Sequence, residues 1–171
     1  MLRLERISHI CIIVVCLLAT ALLIERRFFA AATANQGNIA QATKKPLSLP
    51  GISWGHARKT AVIAINTGCV HCQDSMPFYH RLSELAGNNP SPTQPNFALV
   101  VASSQPADLV RHYLALNQIE VEGVVQVKLG ELGISATPTL IIVDSRGFVE
   151  HVFVGELATK DDEEVVRLLG A

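Results

Sequence analysis

The sequence predicts an α/β domain on a central mixed sheet, with helices on both faces and a membrane helix in front of it. Three observations carry this expectation. Apolar, β-branched runs at 61–65, 97–102 and 140–143 are each short enough for a buried strand. Stretches with apolar residues at helical spacing follow them at 70–85, 108–116 and 161–169. At the start, residues 10–24 are apolar apart from Thr20, with Arg3 and Arg6 before them and Glu25-Arg26-Arg27 after.

Taken in order, residues 1–30 read as an N-terminal membrane anchor. Ile7 and snorkelling flanks bring the apolar stretch to spanning length. A cleaved signal peptide is the rival, because 30–34 offers small residues; that site lies well past the apolar core and behind charges, which favours the anchor. Basic residues flank both ends, so they decide orientation weakly. A short N-terminal tail stays in the cytoplasm, which places the C-terminal domain on the extracytoplasmic, periplasmic side of the cell membrane. Cys11 and Cys16 read as small apolar residues of that helix. Residues 31–49 are polar without a clear period and read as a linker, and the folded domain is expected over 50–171.

Within the domain, 51–59 carries Trp54 and a weak strand or hairpin signal. The run 61–65 is a buried strand. The helix expected over 70–85 contains Pro77, which should kink it, and Gly87-Asn88-Asn89 stops it. The proline-bearing stretch 88–96 is a surface loop. Residues 97–102 form the second buried strand, after which Ser103 or Ser104 can cap the helix at 108–116. A short strand at 124–127 and a turn or short helix at 130–135 come next. Residues 140–143 form the third strong strand, and Ser145-Arg146-Gly147 is a tight turn, so 148–153 should return antiparallel. In the closing helix at 161–169, acidic residues stand in the first turn and Arg167 near the end, as the helix dipole favours.

The chain has 171 residues, enough for one domain with its own core plus an extension. A net charge of −1, with no charge block, argues against a nucleic-acid surface.

The chemistry concentrates in Cys69-Val70-His71-Cys72. Cysteines separated by two residues can cycle between dithiol and disulfide within one helical turn. A thiol reacts as its thiolate, and a helix start presents unpaired N–H groups that stabilise one. Cys69 stands at that start, beyond the end of a strand, where reactive groups of open α/β sheets collect. Cys69 is therefore expected as the exposed nucleophile and Cys72, one turn in, as the resolving thiol. His71 between them is a candidate redox-tuning residue, since an imidazolium beside the thiolate favours the reduced form; the bland alternative is a solvated side chain. Read alone, the quartet is also half a zinc site, but no second ligand pair follows. Cu(I) delivery is the stronger binding-module alternative, with His112 or His151 available as a further ligand. A peroxiredoxin motif is absent, because Asn66 and Val62 stand where its Thr and Pro would be.

Cys69-Val70-His71-Cys72, Pro77, Gly133-Ile134-Ser135-Ala136-Thr137-Pro138-Thr139 and Ile142-Val143-Asp144-Ser145-Arg146-Gly147 together resemble the thioredoxin superfamily. The similarity runs from about Pro50 to Leu169 and is strongest to the membrane-anchored TlpA/ResA-like branch. The resemblance implies a three-layer thioredoxin-like fold and a thiol–disulfide oxidoreductase acting on protein thiols or disulfides. It implies no organic cofactor and no metal. It further implies a cis Pro138 packed against the cysteines and a Thr137 whose backbone binds the substrate chain. The stretch from Asp108 to Leu132 resembles the inserted helix and strand of that branch, where an acidic residue assists proton transfer in some relatives; Glu120 and Glu122 lie there, with a solvated surface role as the alternative. The chain departs from the pattern in Asn66-Thr67-Gly68, where the family commonly has an aromatic lead-in with Trp. Val70-His71 is not the branch's usual dipeptide, and its His resembles that of the oxidant DsbA. The branch implies a reductant and the dipeptide an oxidant, which leaves the direction of electron flow open.

Overall fold

The computed structural model describes residues 45–88, 95–157 and 159–171. The expected membrane anchor and most of the expected linker lie outside the described residues, as do 89–94 of the proline-bearing loop. No helix among the described residues is long and apolar enough to cross a membrane.

The apolar runs become strands β1 (Lys59–Ala64), β2 (Phe97–Ser103), β3 (Gly123–Gln126), β4 (Thr139–Asp144) and β5 (Val149–Val154). They form a 5-stranded sheet in the order β3-β2-β1-β4-β5. β1, β2 and β3 are mutually parallel, while β4 runs antiparallel to both β1 and β5. The mixed sheet expected from sequence is therefore present, and the turn at 145–147 makes the expected antiparallel return.

The helices are α1 (Val70–Asp74), α2 (Met76–Gly87), α3 (Ala107–Leu116) and α4 (Thr159–Leu169). Side chains alternate across β1, so Ala61 and Ile63 face one way and Val62 and Ala64 the other. Met76, Tyr79 and Leu82 of α2, Val110 and Leu114 of α3, and Val165 and Leu169 of α4 all join the cluster that contains Ala61 and Ile63. This corrects the expectation of helices on both faces. The chain steps in one direction from β1 to β2 to β3, and crossovers of one hand that step the same way keep their helices on one face. Lys59 ties α4 down, its Nζ donating to the Leu168 carbonyl at 2.8 Å.

The other face is covered by irregular chain. Leu47, Leu49, Ile52 and Trp54 pack there with Ile134 and the 3-10 turn Leu129–Leu132, against Val62, Ala64, Val100, Ile141 and Val143. Leu47 and Leu49 are buried, so the folded part reaches back beyond Pro50. The region expected as a weak strand or hairpin forms instead a 3-10 turn, Trp54–His56. Burying each large aliphatic side chain contributes about 1.5–3 kcal/mol, and both faces draw on this.

Two helix expectations also change. The single helix over 70–85 is two helices, broken at Ser75. Pro77 has no N–H to donate to the carbonyl one turn back, so the chain restarts with the proline in the first turn of α2, where no such bond is needed. α3 has Pro106, not Ser103 or Ser104, at its N-cap. The Ser103 hydroxyl is used within the loop, accepting from the Gln105 N–H at 3.2 Å.

At the β4–β5 turn Gly147 has φ +89, and a Cβ there would lie 2.7 Å from the Trp54 ring. Glycine is required twice over, for the backbone and for the space. The turn is held by Asp144, whose Oδ1 accepts from the N–H groups of Arg146 and Phe148, each at 2.9 Å.

Candidate functional site

The site lies beyond the carboxyl end of β1, next to the amino end of β4. Ala64 pairs with Thr139, so the chain leaving β1 and the chain entering β4 emerge side by side. After Ile65 the chain turns sharply. The Asn66 side-chain oxygen accepts from the Gly68 N–H at 2.9 Å, and its carbonyl accepts from the Cys69 N–H at 3.1 Å. Cys69 then becomes the N-cap of α1 with extended backbone, φ −89 and ψ 120. Its sulfur accepts the Cys72 N–H at 3.4 Å. The thiol thus does what a serine or aspartate oxygen does at a helix start.

The two thiols are unlike. Cys69 is half-buried and Cys72 fully buried, and both are free. For Cys69, burial opposes ionisation, but it is outweighed by hydrogen bonds from the Cys72 and Thr137 side chains and from the N–H groups of Cys72 and His71; the thiol is held below its usual 9.0. For Cys72, burial dominates and, with Cys69 beside it, pushes the thiol up to about 11. One sulfur is prepared to ionise where a partner can reach it, and the other is kept protonated inside.

The Cys69 sulfur also lies 3.3 Å from the Thr137 carbonyl oxygen, to which its thiol donates. The Thr137–Pro138 peptide is cis and Pro138 is buried. The loop is held from both sides: the Thr139 hydroxyl donates to the Ala136 carbonyl at 2.8 Å, and the Gly155 N–H donates to the Pro138 carbonyl at 2.7 Å. Cys69, Cys72, Thr137 and Pro138 are therefore brought into one site.

His71, the candidate redox-tuning residue, lies on α1 between the two cysteines. Its ring is exposed and pairs through Nδ1 with Glu156 Oε2 at 3.3 Å. Position 71 acts on the Cys69 sulfur through its main-chain N–H. Glu120 and Glu122 precede β3, at the far end of the parallel strands from Cys69. Glu122 pairs with His56 and its N–H bonds Leu99, so it is tied into the opposite edge of the domain. Measured along β2 from Leu99 to Ala102, beside Ile65, that end lies on the order of 10 Å from the strand ends that carry the site.

Among the described residues, the one group of three close metal-capable side chains is His71, Asp74 and Glu156, all exposed. It contains neither cysteine. His112 lies on α3 and His151 opposite Ile142 on β5; neither joins such a group with the thiols.

No protein-family model and no curated protein matches the sequence. Solved structures do match in shape. A thiol:disulfide interchange protein from Bacteroides sp. superposes with a TM-score of 0.57 at 15% identity, over 76% of this chain and 91% of that one. A thiol:disulfide interchange protein of the thioredoxin family from Chlorobium tepidum gives 0.54 at 17% identity, over 76% and 97%. A thiol-disulfide isomerase from Corynebacterium glutamicum gives 0.54 at 13% identity, over 75% and 90%. The chain has the thioredoxin fold.

Within this thioredoxin fold, two contributors to the site went unnoticed in the sequence. Asn66 closes the turn that aims Cys69, and an asparagine two residues before a glycine does carry a turn signal. Glu156 holds the His71 ring from 85 residues away, and no local pattern could have pointed to it.

Proposed function

We propose that this protein is a thiol–disulfide oxidoreductase that exchanges electrons with protein thiols or disulfides through Cys69 and Cys72. The observation that carries the reading is the inequality of the two thiols: Cys69 is capped by N–H groups beside Thr137, and Cys72 is buried behind it with its thiol pushed up to about 11. In the reductive direction the Cys69 thiolate attacks one sulfur of a client disulfide. The client S–S bond breaks, one client thiolate leaves and takes up a proton, and a mixed disulfide joins Cys69 to the client. Cys72 then gives up its proton and attacks the Cys69 sulfur. The second client thiol departs, and two electrons have passed from the Cys69–Cys72 dithiol to the client. The reverse sequence delivers the disulfide. Thr137 and Pro138 line the groove in which the client chain lies.

The apolar segment 10–24 supports a further part of the reading: residues 1–30 anchor the domain in the cell membrane, with the catalytic face in the extracytoplasmic space. Copper delivery gains no support, because no histidine stands with the two thiols among the described residues.

The test is reduction of insulin by the full-length protein in the presence of a dithiol reductant. Wild type should accelerate precipitation of the insulin chains and Cys69→Ser should be inert; equal rates would overturn the proposal. Cys72→Ser should accumulate mixed disulfides with its clients. A periplasm-reporting fusion at the C-terminus tests the orientation, and a dark fusion would refute it.

A further inference from the structure

In the loop that presents Cys69, the N–H groups of Thr67, Gly68 and Cys69 are all engaged. Gly68 donates to the Asn66 side chain at 2.9 Å and Cys69 to the Asn66 carbonyl at 3.1 Å. The remaining N–H, that of Thr67, donates to a residue from elsewhere in the chain, Gln105, at 2.8 Å to Oε1. The same carboxamide donates back through Nε2 to the Thr67 hydroxyl at 2.9 Å. Gln105 is itself held, its N–H donating to the Ser103 hydroxyl at 3.2 Å, and Ser103 is buried at the end of β2. Pro106 follows with φ −53 and begins α3, which limits the freedom of the segment further.

We propose that Gln105 is a positioning residue for the reactive thiol. By gripping Thr67 at two points, it holds the loop in the shape that brings the Cys69 sulfur within reach of the Cys72 N–H and the Thr137 carbonyl. The two loops leave adjacent parallel strands, since Ala64 pairs with Ala102 and the Ile65 N–H bonds the Ala102 carbonyl. A pair of hydrogen bonds from one carboxamide fixes both distance and rotation, which a single hydrogen bond does not. Nothing within the loop replaces it. The Thr67 N–H has no local acceptor once both Asn66 oxygens are in use, and without Gln105 the turn can rotate about Thr67. The sulfur then drifts from its cap, and the thiolate loses the donors that stabilise it.

The inference rests on the reading of Cys69 as the reactive thiol. It is tested by a measurement that needs no turnover: the rate of iodoacetamide labelling of Cys69 in the reduced full-length protein, mapped by mass spectrometry across pH. Gln105→Met keeps the length and removes both bonds; Thr67→Val removes only the hydroxyl. The expected result is a labelling profile displaced to higher pH. At neutral pH the rate should fall about tenfold for Gln105→Met and less for Thr67→Val, with the double variant no worse than Gln105→Met. Should Gln105→Met fail to fold, Thr67→Val alone must still displace the profile. Profiles superposable on wild type, whatever the change in thermal stability, would overturn the proposal. Insulin reduction by the same wild-type protein separates the two readings: its absence refutes the oxidoreductase function and leaves the labelling comparison standing.

Discussion

The sulfur of Cys69 lies 3.3 Å from the carbonyl oxygen of Thr137, 68 residues further along the chain. The contact exists because β1 and β4 are antiparallel neighbours, with Ala64 opposite Thr139, so the end of one strand and the start of the other open on the same edge of the sheet. A molecule approaching the Cys69 sulfur would therefore meet a main-chain acceptor at once. The first two predictions below follow from how that edge is built, and the third concerns the turn at the other end of β4.

The effect of position 71 on the thiol runs through its main chain. The ring pairs with Glu156, while the main-chain N–H of position 71 helps to lower the Cys69 thiol. His71→Ala should leave Cys69 labelling at neutral pH nearly unchanged. His71→Pro removes the N–H at a helical position that tolerates proline. It should weaken thiolate stabilisation by about 1.5 kcal/mol, roughly tenfold in labelling rate. A large loss in His71→Ala, matched by His71→Pro, would assign the effect to the imidazole instead.

The two thiols should separate cleanly in pH. Cys69 is held below 9.0, so it should label first as pH rises, whereas Cys72 should resist until pH approaches about 11. The same raised value affects stability. Above 9.0 the unfolded chain has released the Cys72 proton while the native protein still holds it. The contribution of Cys72 to stability is thus present below 9.0 and lost as pH rises through about 11. Urea midpoints of the reduced protein should fall across that window, and the fall should be smaller in Cys72→Ser. An identical slope in the variant would contradict the burial argument.

Gly147→Ala should destabilise the domain by about 1–3 kcal/mol, combining a left-handed backbone with a displaced Trp54 ring. Denaturant unfolding measures the loss. Trp54 is the chain's single tryptophan, so its fluorescence should shift in the folded variant as the ring moves. An unchanged midpoint would mean that the turn adjusts freely.

Much of this architecture was legible in the residues. Strands β1, β2 and β4 announced themselves as apolar β-branched runs, because they lie inside the sheet with both faces covered. Cys69, Cys72, Thr137 and Pro138 were marked by their motifs. What escaped was decided by partners distant in sequence. Alternation along β1 says that two faces are buried but not what buries them, so the single-sided placement of the helices was missed. Leu47 and Leu49 looked like linker because two leucines in a polar stretch carry no period, yet they roof the face that has no helix. Pro77 did signal a disturbance, and the chain answered with a break at Ser75 where a kink was expected. Gln105 showed no motif at all; only the pairing of β1 with β2 brings it to Thr67.

The antiparallel placement of β4 beside β1 has a consequence for the life of the chain during its synthesis. Cys69 emerges from the ribosome long before Thr137, its carbonyl partner. Until β4 is in place, the nascent chain carries two thiols but lacks the edge that distinguishes them. The Cys69 sulfur thus gains its full set of neighbours only once the chain has been made as far as β4. A copy cut short before β4 lacks the Thr137 contact, although every residue of α1 has already been made.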